Sequence, residues 1–278
     1  MKLENVVANG FDMSLLTEHG RAIVPEVHIG KGTIDIYMDR SLPRPSADQA
    51  NVAISQKILN LGFPFMLQLL KLNNIQLNYR EFEPVSGRTA VIALENISGQ
   101  GTNITTLPEY INRNALMKMT LNGQFLKAEV NAKFEFDLSK TDGTFTTWLK
   151  ASQIDADKLN PILMPVARIE ARKGVLRQLE ATVHGTADVA SADVNLTYEG
   201  LKINLLKIEG DSMVKKGLPS MFANLFILDD NPKDGILRTA NGIMLKRRFG
   251  RSFFNMLWNS ISTGIQQIIA KKKGLKIG

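Results

Sequence analysis

The sequence predicts a mainly β protein: a long, curved antiparallel meander sheet, a few short helices and a C-terminal amphipathic helix. Three observations carry this. Apolar residues recur at every second position through most of the 278 residues. The breaks between these stretches are short and turn-like, and the spacing changes to three and four only near the end. Period two sends alternate side chains to opposite faces of a strand, so each strand keeps one dry face and one wet face.

Taken in order, Thr33–Asp39 places Ile34, Ile36 and Met38 on one face, and Asn74–Arg80 does the same with Ile75, Leu77 and Tyr79. Met117, Met119 and Leu121 follow. Phe125–Leu138 carries Ala128, Val130, Ala132, Phe134 and Phe136 on its apolar side. Thr144–Ile154, Val166–Ala171, Val175–Gly185, Ala187–Tyr198 and Leu201–Leu206 read as further strands. Lys140–Gly143, Arg172–Gly174, His184–Gly185 and Glu199–Gly200 have turn composition, and short turns join antiparallel neighbours. Gly30-Lys31-Gly32-Thr33 reads as a turn before its strand. Ser41–Asn51, with Pro43 and Pro45, reads as a linker loop; Asp155–Pro165 and Lys216–Phe226 read as short helices.

The last segment changes period. Phe254, Leu257, Trp258, Ile261, Ile265, Ile268 and Ile269 share one helical face, while Asn255, Asn259, Thr263, Gln266 and Gln267 take the other. Ser252 suits the N-cap. The chain therefore divides at about residue 248 into a β-sheet domain (1–248) and a basic helical tail (249–278).

Charge separates the same way. Residues 235–278 hold nine cations, among them Lys246, Arg247, Arg248, Arg251, Lys271, Lys272 and Lys273, and no Asp or Glu. The tail carries +9 of a net +7, so the rest of the chain is slightly acidic. Cations beside apolar residues attract lipid headgroups; an acidic body argues against a general nucleic-acid surface. Two readings of the helix stand side by side: it lies on a membrane surface, or it packs over the sheet and plugs it.

Chemistry is scarce. No apolar run reaches the roughly eighteen residues of a spanning helix, and the N-terminus lacks the core of a signal peptide. Cysteine is absent. His19, His28 and His184 lack metal-ligand spacing. No nucleophile elbow or Walker loop occurs. Asp229-Asp230 lies in a loop without calcium-ligand spacing, and the sequons at Asn96, Asn103 and Asn195 carry no weight. No catalytic residue, metal site or cofactor is expected.

Lys71–Tyr79 followed by Thr89–Ile97 resembles a repeating unit of the AsmA-like superfamily, Bacteroidetes-type members above all. So do Leu121–Phe125 leading into Phe134–Leu138, Asp157–Ile162 with Gly174-Val175-Leu176, Val194–Ile203, and Arg251–Trp258 with Gly264. The likeness covers about residues 20 to 270 and rests on the order of degenerate motifs. It implies an envelope protein related to TamB and the bridge-like lipid-transfer proteins. Such a protein is anchored in the inner membrane by an N-terminal helix, here expected upstream of Met1, and crosses the periplasm as a curved sheet.

Function follows from the dry face. A one-sided sheet must be covered by helices, a second sheet or a ligand, and the predicted helices are too few. An apolar groove for phospholipid acyl chains is the favoured reading, lined by Ile34, Ile36, Met38, Ile75, Leu77, Tyr79, Met119, Leu121, Val130, Phe134 and Phe136. A closed sandwich is the other outcome. Expected partners are phospholipid, a membrane surface through the C-terminal helix, and an envelope protein. A structural role in outer-membrane protein assembly through sheet edges is the alternative function.

Overall fold

The computed structural model describes residues 1–43, 53–209, 212–216 and 227–270. In chain order its strands are β1 (Lys2–Asn9), β2 (Ala22–Asp39), β3 (Phe65–Glu83), β4 (Arg88–Thr105), β5 (Leu116–Phe125), β6 (Ala128–Asp137), β7 (Phe145–Ala151), β8 (Ile154–Asp155), β9 (Ile169–Gly185), β10 (Val189–Glu209), β11 (Ser212–Lys215) and β12 (Thr239–Lys246). The helices are α1 (Met13–His19), α2 (Ile54–Leu59), α3 (Pro108–Arg113), α4 (Asn160–Ala167) and α5 (Phe253–Ile269). One open, mixed sheet of twelve strands results. Its order is β1-β2-β3-β4-β5-β6-β7-β9-β10, with β11 and β12 sharing the far edge of β10 and β8 pairing with β9.

The mainly β class, the open sheet and the C-terminal helix agree with the sequence reading. The sheet is not wholly antiparallel, because β2 and β3 run parallel, Ala22 beside Phe65 and Asp39 beside Phe82. Parallel neighbours need a long crossover, and residues 40–64, including the stretch read as a linker loop, supply it with α2 on the way. Residues 44–51 of that loop, nearly all of the helix expected over Lys216–Phe226, and Lys271–Lys273 lie outside the described residues.

One break was missed, and several expected boundaries prove different. Phe125–Leu138 is two strands, split by Leu126 and Lys127, whose φ values of 52° and 68° make a two-residue hairpin turn. Such turns favour Asn-Gly, so Leu-Lys gave no signal. Arg172–Gly174 and Glu199–Gly200 are not turns: they lie opposite each other inside β9 and β10, where the pairing register shifts. A Cβ on Gly174 would stand 2.7 Å from the Leu201 Cα, so the glycine permits a bulge, not a chain reversal. Gly30–Thr33 likewise lies within β2, and Val166 and Ala167 end α4 instead of starting a strand.

Asparagines manage the long strands. Asn5, Asn74 and Asn96 have φ of 55°, 51° and 52° in β1, β3 and β4. The left-handed region is unfavourable for most L-residues, and Asn tolerates it. At Asn74 the extra residue keeps Leu72 and Ile75 on the same face, opposite Ile29 and Gly32, although they are three apart. Asn74→Val is expected to lower stability by about 1–2 kcal/mol, whereas Asn74→Gly stays within about 0.5 kcal/mol. Urea unfolding measures both, and equal losses would remove the backbone explanation.

β5, β6 and β7 are shorter than β4 and β9, and β8, a 3₁₀ turn (Ala156–Leu159) and α4 occupy the space beyond their ends. Asn160 substitutes for a strand there. Its Nδ2 donates to the Ala171 carbonyl at 2.9 Å, and its Oδ1 accepts from the Ala171 N–H at 2.7 Å.

The core lies where α5 crosses β9, β10 and β12. Phe253, Met256, Leu257, Ser260, Ile261, Gly264 and Ile268 form the buried face. Gly264 allows the close crossing, since a Cβ there would meet Val194 Cγ2 at 2.5 Å. The Ser252 hydroxyl accepts from the Asn255 N–H at one end. At the other, Arg238 donates to the carbonyls of Ala270 (2.6 Å) and Gln267 (3.2 Å), meeting the helix's orphan carbonyls with a cation.

Candidate functional site

Register fixes which side chains share the dry face, because directly paired residues point the same way. One such row crosses ten strands: Val6, Ile29, Leu72, Gly99, Leu121, Ala132, Leu149, Ala181, Val194 and Ala240. A second runs Ala8, Val27, Leu70, Gly101, Met119, Phe134, Thr147, Val183, Ala192 and Ile243. No charged residue interrupts either row.

Coverage differs along them. Ala181, Val183, Ala192, Val194, Ala240 and Ile243 are buried under α5, whereas Leu72, Leu121, Leu149, Met119 and Phe134 stay partly exposed. Towards the β1 and β2 edge, Val6, Leu3, Ile36 and Met38 are exposed. From β1 to β7 the open row spans about 29 Å at the usual strand spacing.

α5 walls this face. Its polar flank, Asn255, Asn259 and Thr263, lines a cleft with Leu245 and Lys246 of the edge strand β12. The opposite flank, which holds Phe254, Trp258, Ile265 and Ile269, is therefore turned towards β9, β7 and the uncovered strands. Phe254 and Trp258 are 57% and 54% exposed. Sequence reasoning put both with Leu257, Ile261 and Ile268 on one face; the structure buries the latter three and rotates Phe254 and Trp258 to the flank. It also missed Phe253 and Met256, which take the buried positions.

Of the residues expected to line a groove, Ile34, Ile36, Leu77, Tyr79, Met119, Leu121, Val130 and Phe134 share the dry face. Met38 stands beside Glu81 at its far end. Ile75 and Phe136 are also on that face but are buried, at 5% and 1% exposure. They belong to the protein's own packing, Phe136 against Phe134 and Phe253. Val6, Ile29, Leu70, Leu72 and Leu149 were missed; alternation in β1 and the start of β3 was the available signal.

The far end of the face is polar. The Tyr79 hydroxyl donates to Glu81, and Arg40 pairs with Glu81 at 3.2 Å and with Glu83. Burial first, then the bond to Glu81, pushes the Tyr79 phenol above its ordinary range. The basic segment is not one solvent-facing cluster. Arg247 is almost buried and donates to the carbonyls of Ala187 (3.0 Å) and Arg251 (3.3 Å) and to Asp188 (3.0 Å). Lys246 and Arg248 are exposed, and Arg251 is half-buried.

Other chemistry stays dispersed. No three His, Asp or Glu side chains among the described residues come together as a metal site. Lys233 holds the Asp229 carboxyl down at about 2, and Asp230 accepts from the Gly200 N–H, so this acidic pair ties a loop to β10. No helix among the described residues is long and apolar enough to cross a membrane. Comparison with protein-family models, curated proteins and solved structures finds no match.

Proposed function

We propose that the uncovered dry face, walled by the apolar flank of α5, binds phospholipid acyl chains. In this reading the chain is an envelope protein of AsmA-like type that conducts lipid between membranes, and no residue has a catalytic role. The carrying observation is the pair of uncharged apolar rows that leave the buried core and continue, partly exposed, to an open edge. Monomeric soluble proteins rarely leave such a contiguous patch without a partner. The acyl region of one leaflet is about 15 Å deep, so the open stretch is long enough to seat a chain across the strands. Each buried CH₂ contributes about 0.8 kcal/mol, or roughly 10 kcal/mol for a chain of about sixteen carbons before ordering costs.

Solvent extraction of the purified protein followed by lipid mass spectrometry tests this. Phospholipid in near-stoichiometric amount is expected. Protein that emerges lipid-free and takes up no fluorescent fatty acid overturns the reading.

One observation favours the assembly role as a second reading. The outer edge of β1 has no partner among the described residues, and Val6 and Val7 on that strand are 53% and 47% exposed. Such an edge can add a strand from another protein. Site-specific crosslinking from Val7 separates the two: capture of an envelope protein by lipid-free chain favours assembly.

A further inference from the structure

We propose that the cleft between the end of β12 and the polar flank of α5 binds a phosphate-type oxyanion. Lys246, Arg247, Arg248, Asn255, Asn259 and Thr263 line it, and its volume is about 80 Å³. A cleft this small is on the scale of a compact tetrahedral oxyanion. The apolar groove lies on the other flank of the same helix, so this site stands whether or not the groove holds lipid.

Donors outnumber acceptors on the cleft wall. Asn259 Nδ2 donates to Asn255 Oδ1 at 2.9 Å, which turns the Asn255 carbonyl inward on its own helix and leaves the Asn255 Nδ2 group without a protein partner among the described residues. The Thr263 hydroxyl gives its proton to the Asn259 carbonyl at 2.7 Å and so adds no donor to the cleft. Arg247 is fixed by two carbonyls and by Asp188. It supplies a positioned charge instead of a floating one. Lys246 and Arg248 pair with no carboxylate among the described residues. No carboxylate lines the cleft; Asp188, engaged by Arg247 and 78% exposed, is the acid beside it. Three cations and amide donors around a small space match an oxyanion, for which charge-assisted bonds are strong and guanidinium geometry is suited.

The same chemistry has two sources, the phosphate of an anionic lipid headgroup and free phosphate. Titration calorimetry of the full chain with inorganic phosphate forms one arm. Co-sedimentation with vesicles of phosphatidylglycerol, against vesicles of phosphatidylcholine, forms the other. The variant is Arg248→Gln with Asn255→Leu, which leaves Arg247 and the buried helix face untouched; an unchanged melting temperature verifies folding. Roughly tenfold weaker binding or more is expected in the variant, with Arg248→Lys alone between it and the wild type. Loss confined to the calorimetric arm assigns the site to free phosphate, and loss of phosphatidylglycerol preference assigns it to a headgroup. Indistinguishable wild type and variant in both arms, or no binding in either, overturns the proposal.

Discussion

Phe253→Ala is expected to lower the free energy of unfolding by about 3–5 kcal/mol. Phe253 is 2% exposed and stands in the first turn of α5 between two strands' aromatics, 4.7 Å from Phe145 in an edge contact and 5.9 Å from Phe136. Its removal opens a void at the point where the helix begins to cover the sheet, and the Gly264–Val194 contact about three turns later holds α5 too close for the gap to collapse. Phe254→Ala is the internal control. Phe254 is the next residue, yet it is 57% exposed, and its loss is expected to stay within about 0.5 kcal/mol. Urea denaturation followed by the fluorescence of Trp258, on the same helix, measures both. A Phe253 variant that loses under about 1 kcal/mol would mean α5 is not docked as described.

That contrast also shows where sequence reading stops. Period three to four identifies α5 and its N-cap, but a helix with apolar residues on two adjoining sectors does not say which sector meets the sheet. Phe253, Met256 and Gly264 are chosen by the neighbours Phe136, Phe145 and Val194, which are distant in sequence. Along the strands, alternation places Ile34, Leu77, Met119 and Leu121 on one face correctly. It does not reveal that Asn74 and Asn96 shift the period by one, since a left-handed Asn looks like any polar strand residue until the pairing is known. Gly174 and Gly200 mislead for the matching reason: a glycine that permits a bulge and one that permits a turn have the same composition, and only the continued pairing of β9 with β10 tells them apart.

The candidate site was half legible on the same grounds. Ile75 and Phe136 meet every sequence criterion for a groove, but neighbours cover them. Exposure depends on where α5 ends its coverage, and that is set by the crossing at Val194, not by the strand's own residues. Cations divide likewise. Arg238 and Arg247 look like Arg248 in the sequence, yet one caps α5 and another is fastened to the β9–β10 turn, leaving fewer charges for a surface than the tail's composition implies.

Coverage supplies the second large expected effect. Leu72→Asp combined with Leu121→Asp should strip the protein of bound phospholipid while it stays folded. Both leucines belong to the row that crosses the sheet, separated by Gly99, and both are partly exposed. In lipid-free protein their carboxylates would keep contact with water, so folding loses little. An acyl chain laid over them would have to desolvate two charges, a penalty of several kcal/mol per ion, which is comparable with the roughly 10 kcal/mol that such a chain gains by burial. Val194→Asp is the counterpart on the covered side. Val194 is 1% exposed beneath Gly264, and an unpaired charge there is expected to cost about 3–5 kcal/mol and release α5. Lipid mass spectrometry and thermal melting, run on the three proteins, separate the outcomes. If the double variant melts as early as Val194→Asp, the open stretch is part of a sealed core; if it melts late and still carries lipid, acyl chains bind elsewhere.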